Sequence, residues 1–337
     1  KCRVPIASGN DHRSYGSPTT MSSKNARAEG MVFISPENMI VNEAIGTRLF
    51  EDPPVRDPCD LTVGDFDDVK LRVIVSPDQP NFISVHIAIG NLGSKFKEEY
   101  YAPEAVAEVY PGLEVTPETG YDFAVGFDLD NPPNGDKEGT LQKFSSLRRV
   151  IMGAPITKAL KALNDGTAAS LPMITIPWRP LECMWIKPGA DRCTIVYAVS
   201  FNEDMDRAMG RVMMQQMAKE YKGINGAPPC TFSEAKSPPM EIRDCPGLEQ
   251  YKDSCGFLSI VIFKAHINSD ERFNKTVTLL SSLRNYLMYH IKASKTYLHM
   301  RMRRKVAGWL QVLNRAVHEQ GKKEVKTKSG KTFKRAS

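Results

Sequence analysis

Residues 270–318 read DERFNKTVTLLSSLRNYLMYHIKASKTYLHMRMRRKVAGWLQVLNRAVH. This segment contains no Pro, and its only Gly is Gly308. Residues 268–270 are Asn, Ser and Asp, which are favoured N-capping side chains. Spacings of three, four and seven separate the apolar residues, as on one face of an amphipathic helix; they are Phe273, Val277, Leu280, Leu287, Ile291, Leu298, Met302, Val306, Trp309 and Leu313. The pattern predicts one long helix over residues 270–318.

The predicted helix is longer than the domain that carries it. At about 1.5 Å per residue it is a rod of roughly 73 Å, whereas a domain of about 130 residues has a radius of gyration near 14 Å. Part of its apolar stripe therefore needs cover from another chain. We expect a partner-subunit interface on this helix, and we assign position 291, which is Ile291, to it.

Two cations, Arg284 and Lys295, interrupt the apolar stripe. An unpaired charge is costly to bury. We therefore expect each side chain either to extend its charged group to solvent or to meet an acid on a partner.

Charge is distributed unevenly along the chain. Residues 284–337 hold fifteen Lys or Arg and two Glu, a net charge of +13, whereas the whole chain carries +6. Residues 1–283 are therefore near −7. Such asymmetry indicates an acidic polymer or surface at the C-terminal end, and nucleic acid, anionic membrane and an acidic protein all remain eligible.

The predicted elements form two similar runs, each with the order hairpin, helix, strand, helix. The long helix is the last element of the second run. Strands are predicted at residues 69–75, 82–89, 121–129, 184–187, 194–201, 230–232, 240–243 and 257–263. Helices are predicted at residues 37–51, 103–110, 141–163, with a kink at Gly153 and Pro155, and 205–222. The strand connections are often too short for parallel crossovers. The fold class is therefore α+β: two domains of related fold, with antiparallel sheets flanked by helices, ending in one long C-terminal helix.

The predicted domains span residues 31–165 and 166–320. Residues 1–30, rich in Ser, Gly, Asn and charge, are predicted to be a disordered extension. The segment 321–337 is predicted to be a basic tail. No apolar run reaches 18 residues, so no membrane span is predicted. Seven scattered cysteines without a C-x-x-C pair indicate buried thiols in a reducing compartment.

A search for catalytic or cofactor chemistry finds weak candidates only. Residues 329–332 read SGKT, but a phosphate-binding loop also needs an earlier Gly, where Val325 stands, a preceding strand and a following helix. The carboxylates that could seat a divalent ion flank predicted turns, where local hydrogen bonding is the favoured role; they are Asp65, Asp67, Asp68, Asp128 and Asp130. Six histidines form no metal-ligand or triad spacing. We predict no catalytic residues, no cofactor and no metal, so an enzyme is not expected.

The segment 286–303, YLMYHIKASKTYLHMRMR, resembles the long helix of the family of large scaffolding subunits, subunit two, of the actin-related protein 2/3 complex. Residues 312–316, VLNRA, and 330–333, GKTF, are similar to the same family's ending. Weaker similarities lie at residues 117–121, 128–131 and 238–242.

This resemblance implies a cytoplasmic scaffold of the actin cytoskeleton with two similar α/β domains. It implies that the long helix packs on subunit four, and that the pair carries the two actin-related proteins. It also implies contact between the basic C-terminal region and the side of the mother actin filament. That role would fall here to the tail from Lys322 to Lys334, with Arg301 and Arg304.

Two other functions fit the basic end. A nucleic-acid-binding protein would use the same helix and tail, although aromatic residues for base stacking are sparse near the lysines. A membrane-surface adaptor would need bulky apolar residues that the tail lacks. The resemblance favours the scaffold, for which neither nucleic acid nor a membrane span is expected.

Overall fold

Two antiparallel sheets organise the chain, and the long helix packs against both halves of the fold. The computed structural model describes residues 35–316 together with 325–326 and 332–333. The predicted extension at residues 1–30, the last two predicted helical residues, 317–318, and most of the basic tail lie outside the described residues.

The described residues of the first half form four strands and six α-helices. In chain order these are α1 (Met39–Phe50), β1 (Cys59–Gly64), β2 (Lys70–Val75), β3 (Phe82–Ala88), α2 (Gly93–Glu98), α3 (Ala102–Val109), β4 (Phe123–Asp128), α4 (Lys137–Ser145), α5 (Leu147–Met152) and α6 (Ala154–Asp165). The strands lie in the order β1-β2-β3-β4 and every pair is antiparallel. Alternation along β2 buries Leu71, Val73 and Val75 under the helices.

The second half repeats this order. Its elements are β5 (Ile174–Arg179), β6 (Glu182–Pro188), β7 (Arg192–Val199), α7 (Asp204–Glu220), β8 (Cys230–Ser233), β9 (Gly256–Phe263) and α8 (Asp270–Ala316). The sheet order is β5-β6-β7-β9-β8, again antiparallel throughout. Strand β9 therefore stands where β4 stands in the first sheet, and β8 is an added edge strand. The predicted α+β class, with related halves and a final long helix, is confirmed.

The side chains of both halves form one continuous buried cluster, which runs from Val41 in α1 to Ile291 in α8. Residues from Ser35 onward form one compact unit. The division into domains at residue 165 stays a prediction.

Three details differ from the sequence-based expectation. Strands β1 and β5 were not predicted, since β1 has only one fully buried residue, Val63, and β5 contains Pro177. The helix predicted at 141–163 is part of three shorter helices, α4, α5 and α6; the break at Gly153 was predicted and the one at Ser146 was not.

The strand predicted at 240–243 is wrong, because those residues form turns. Ile242 is nevertheless fully buried, since it packs with Trp185, Tyr251 and Phe257 on the outer face of the second sheet. Its alternation with exposed Met240 imitates a strand pattern. The loop 234–255 thus covers a sheet face instead of extending the sheet.

An ionic node joins the two halves where the β1–β2 turn meets the second sheet and α8. Its centre is Asp67, whose side chain is 8% exposed and whose backbone is left-handed, with φ of 63°. Asp67 accepts hydrogen bonds from Arg148 Nη2 at 2.7 Å, Asn285 Nδ2 at 2.6 Å and Arg179 Nη1 at 3.3 Å. Asp tolerates a left-handed backbone better than most residues. The node therefore ties α5, the β5–β6 hairpin and α8 to one turn of the first sheet.

Among the described residues, none of the helices combines the length and the apolar character that a membrane span requires. Residues 325–326 and 332–333 of the tail pair as two short antiparallel strands, β10 (Val325–Lys326) and β11 (Thr332–Phe333).

Candidate protein-binding surface of the long helix

Helix α8 changes environment part-way along its length. Its first half buries five apolar side chains, each at most 1% exposed; they are Val277, Leu280, Leu283, Leu287 and Ile291. From Thr296 to Arg315 every residue is exposed. This stretch, which we call the exposed arm (residues 296–315), is about 30 Å of helix at 1.5 Å per residue. The predicted excess length is therefore present as helix that the described part of its own chain does not cover.

The buried half of α8 is held by close approach to both halves of the fold. Ser269 Oγ accepts from the Arg272 backbone N–H at 3.3 Å, which caps the helix as predicted. A Cβ at Gly153 would lie 2.8 Å from Val277 Cγ1, and one at Gly210 would lie 3.3 Å from Ile291 Cδ1. Glycine at these two positions lets the α5–α6 junction and α7 approach the long helix closely.

Both cations that interrupt the stripe are paired within the chain. Arg284 meets Glu182 in a two-point pair, with Nε to Oε2 at 2.8 Å and Nη2 to Oε1 at 3.1 Å. Lys295 pairs with Glu203 and, at 3.1 Å, with Asp206 at the start of α7. Hydrogen bonds to Glu203 and then Asp206 raise the pKa of Lys295. The acids that neutralise these two cations belong to the same chain and not to a partner, and the two side chains remain 21% and 23% exposed.

Position 291, assigned from the sequence to the partner interface, lies in the chain's own core. Ile291 is 1% exposed and faces Gly210 of α7. The stripe becomes accessible only seven residues later, at Leu298. Sequence periodicity placed both residues on one stripe, and it held no signal for where α7 ends its cover of that stripe.

The exposed arm carries an uncovered apolar stripe. Its members are Leu298 (46% exposed), Met302 (61%), Val306 (49%), Trp309 (67%) and Leu313 (60%). At about 100° per residue these positions fall within roughly 80° of one another. Leu298 is eleven residues after Leu287, so the two lie within about 20° on the same face. The stripe is thus a continuation of the face that the chain itself buries lower down. Large apolar patches rimmed by polar residues mark interaction sites.

Cations surround this stripe. The exposed arm contains Arg301, Arg303, Arg304, Lys305 and Arg315, and no Asp or Glu. The Arg301 guanidinium lies 5.7 Å from the centre of the Tyr297 ring, a cation–π contact on the surface of the helix. The arm can therefore offer both apolar area and positive charge to a partner.

The other sequence candidates have structural roles. Asp65 caps a short turn, and Asp68 and Asp130 pair with Arg179 and Arg56. Asp128 accepts from the backbone N–H of Asp130. Within the described part of the chain, no three His, Cys, Asp or Glu side chains form a group that could hold a metal ion.

The structure also shows local structural roles for Thr332 of the SGKT segment and for one of the histidines, His86. Thr332 begins β11, where a phosphate-binding loop would begin a helix. His86 Nδ1 accepts from the Glu118 backbone N–H at 3.3 Å, so Nε2 carries the proton and donates to Ser84 Oγ at 3.0 Å. Burial lowers the pKa of His86. A cavity of about 430 Å³ between β4 and α4 is lined by residues that include Phe144 and Gly126 but no His or Cys.

Comparison with known proteins agrees with this arrangement. The family described as Arp2/3 complex, 34 kD subunit p34-Arc, matches residues 92–320, about two thirds of the chain and all of the exposed arm. The chain belongs to the p34-Arc family.

Two relatives extend the p34-Arc match over most of the chain. A Schizosaccharomyces pombe protein named actin-related protein 2/3 complex subunit 2 is 30% identical over 326 residues, covering 91% of this chain and 100% of the relative. A Dictyostelium discoideum protein of the same name is 32% identical over 279 residues, covering 80% of this chain and 89% of the relative.

Within this p34-Arc chain, sequence reasoning found the arm but missed the ionic node. Asp67, Arg148 and Asn285 lie far apart in sequence, and only the folded chain brings them together. The available sequence signal for the node was a run of Asp residues beside a predicted turn. Those residues were interpreted as local hydrogen-bonding partners within the turn.

Proposed function

We propose that this chain is the scaffold subunit of an Arp2/3 complex, and that its exposed arm docks on a partner subunit. One observation carries the proposal: twenty residues of a continuous helix leave the chain's own core with an apolar stripe uncovered. A stripe of this kind in water needs an apolar cover, and a helix of another chain provides one. Membership of the p34-Arc family makes another subunit of the complex the expected partner.

The proposed partners are subunit four on the exposed arm and, on the paired scaffold, the two actin-related proteins. The role is positional: a rigid support that holds two actin-like subunits together lowers the barrier to filament nucleation by orienting them in advance. The node at Asp67 and the close approaches at Gly153 and Gly210 suit such a support, because they fix α8 against both sheets. We propose no enzymatic activity and no cofactor for the chain, and a cytoplasmic location with the actin cytoskeleton.

The proposed filament contact lies at the basic C-terminal surface. Actin filaments are acidic, and the last 54 residues carry a net charge of +13. Opposite charge accelerates and orients association. Replacing Lys326, Lys328 and Lys331 by Glu should weaken filament co-sedimentation while leaving complex assembly intact. Unchanged filament affinity would place the contact elsewhere on the chain.

The proposal is tested by purifying the tagged full chain from its own cytosol at moderate salt and measuring stoichiometry. Two actin-related proteins and a partner of similar fold at one copy each are the expected result. Recovery of the chain alone would overturn the proposal. Recovery of nucleic acid would favour the alternative of a nucleic-acid-binding protein, which the cluster of cations at residues 301–305 supports. A slope of several units in the logarithm of the nucleic-acid binding constant against the logarithm of salt concentration would identify that alternative.

A further inference from the structure

We propose that the exposed arm is built to reject a second copy of its own chain, and that its partner is a helix whose apolar stripe is flanked by Asp or Glu. This proposal rests on the proposed function and specifies the chemistry of the partner. It follows from three features of the arm: the symmetry of its apolar spacing, the positions of its cations and the lack of any acid among its residues.

The apolar spacing of the arm would permit self-pairing. Leu298, Met302, Val306, Trp309 and Leu313 are separated by four, four, three and four residues. Read in the opposite direction, the separations are four, three, four and four. Two copies laid antiparallel about Val306 would therefore bring Leu298 opposite Leu313 and Met302 opposite Trp309. Shape alone gives no reason for the arm to avoid a second copy of itself.

Charge gives that reason. With the stripe centred near Met302, Lys305 lies about 60° to one side, with Arg301 beyond it, and Arg303 lies about 100° to the other side. In paired helices, the charges at such flanking positions determine which partner binds. In an antiparallel pair about Val306, Lys305 of one copy would approach Lys305 of the other.

No register that pairs residues 296–315 with one another relieves this repulsion, because that stretch contains five cations and no acid. Among the described residues, Glu203 and Asp206, which lie beside the start of the arm, already pair with Lys295. Like charges placed opposite one another are a recognised means of excluding wrong partners. The same residues then favour a partner with acids on both sides of its apolar stripe, since each flanking cation gains an opposite charge.

Salt separates the two contributions, because it screens surface charge but not apolar contact. The screening length is about 10 Å in 0.1 M salt and about 3 Å in 1 M salt. A helix with its side chains is about 10–12 Å across. Cations on the far side of the arm, Arg304 and Arg315, therefore act weakly on a helix packed against the stripe.

The test uses sedimentation velocity of the full chain in 0.1 M and 1 M NaCl. We expect the wild-type chain to be monomeric in 0.1 M salt and to self-associate in 1 M salt. We expect Arg303→Glu/Lys305→Glu, mixed one to one with the wild-type chain in 0.1 M salt, to form mixed dimers about 10-fold more tightly than either chain pairs with itself. The matched control, Arg304→Glu/Arg315→Glu, reverses two charges on the far side and should form no such dimers. Adding Trp309→Asp should abolish every one of these dimers, which places them on the stripe.

Each other outcome overturns the proposal. Wild-type dimers through the stripe in 0.1 M salt would show that charge does not exclude a second copy. Absence of association in the mixture and in 1 M salt would show that shape, not charge, excludes it. If the two double variants formed dimers equally well, the flanking cations would not control pairing. Because this test needs no partner subunit, its failure is distinct from failure to recover a complex from cytosol.

Discussion

Leu287 and Leu298 provide a matched pair of substitutions on one face of one helix. The two leucines are eleven residues apart and lie within about 20° of each other around α8. Leu287 is 0% exposed and Leu298 is 46% exposed. Replacing each by Ala removes the same atoms, so any difference in outcome reports the environment and not the chemistry of the change.

The two substitutions should affect different quantities: Leu287→Ala the stability of the chain, and Leu298→Ala the affinity for the partner. Leu287→Ala should lower the free energy of unfolding of the isolated chain by about 3 kcal/mol, since it leaves a cavity in the core. Leu298→Ala should lower it by less than about 0.5 kcal/mol, because its side chain already faces water. Three carbon groups at about 0.8 kcal/mol each, scaled by the 46% that a partner can still cover, give about 1.1 kcal/mol of partner binding. This corresponds to roughly sixfold in Kd.

The measurements are urea unfolding of each isolated full-length variant and titration of each against the purified partner subunit. Wild-type chain and a Thr296→Ala variant, at the exposed start of the arm, serve as controls. If Leu298→Ala destabilises the isolated chain as much as Leu287→Ala does, the arm packs on its own chain and the reasoning fails. If it changes neither stability nor partner affinity, the partner lies elsewhere.

Three further predictions concern the body of the fold. Asp67→Asn should lower the free energy of unfolding by about 2 kcal/mol, since it removes the charge that several arginines share. The control Asp130→Asn, at an exposed ion pair, should lower it by less than about 0.5 kcal/mol. Equal urea midpoints for the two variants would contradict a structural role of the node. Burial lowers the pKa of His86 below its unfolded value of 6.5. The unfolded chain therefore binds more protons, and the stability of the fold should decrease as pH drops through 6.5. A His86→Gln variant whose thermal midpoint keeps the full pH dependence between 7.5 and 5.5 would disprove this. Burial raises the pKa of Cys193 to about 12, so at pH 8 this thiol should resist alkylation until the chain unfolds, and partly exposed Cys59 should react before it. Rapid labelling of Cys193 in native buffer, mapped by mass spectrometry, would argue against the buried sheet.

Much of the architecture was predictable because local pattern and final structure agree. Alternation in β2 and the helical spacing of α7 each reflect a single buried face, which sequence records directly. Strand β1 escaped detection because Asp60 and Thr62 face solvent on an edge, and β5 because Pro177 interrupts it. The strand expected at 240–243 failed for the opposite reason: Ile242 is buried by a loop folded over the sheet, and burial alone does not specify the backbone that achieves it.

Sequence alone predicted one helix over residues 270–318 that exceeds its domain, and Asp270–Ala316 is helical in the structure, because helical periodicity and freedom from Pro are local properties. It also determined the basic character of the arm, since charge is a matter of composition. Only the tertiary structure decided where the cover ends, between Ile291 and Leu298, and which acids neutralise Arg284 and Lys295. The physical reason is that exposure of a stripe depends on which other elements fold against it. Two leucines with the same place in the pattern, Leu287 and Leu298, therefore have different surroundings.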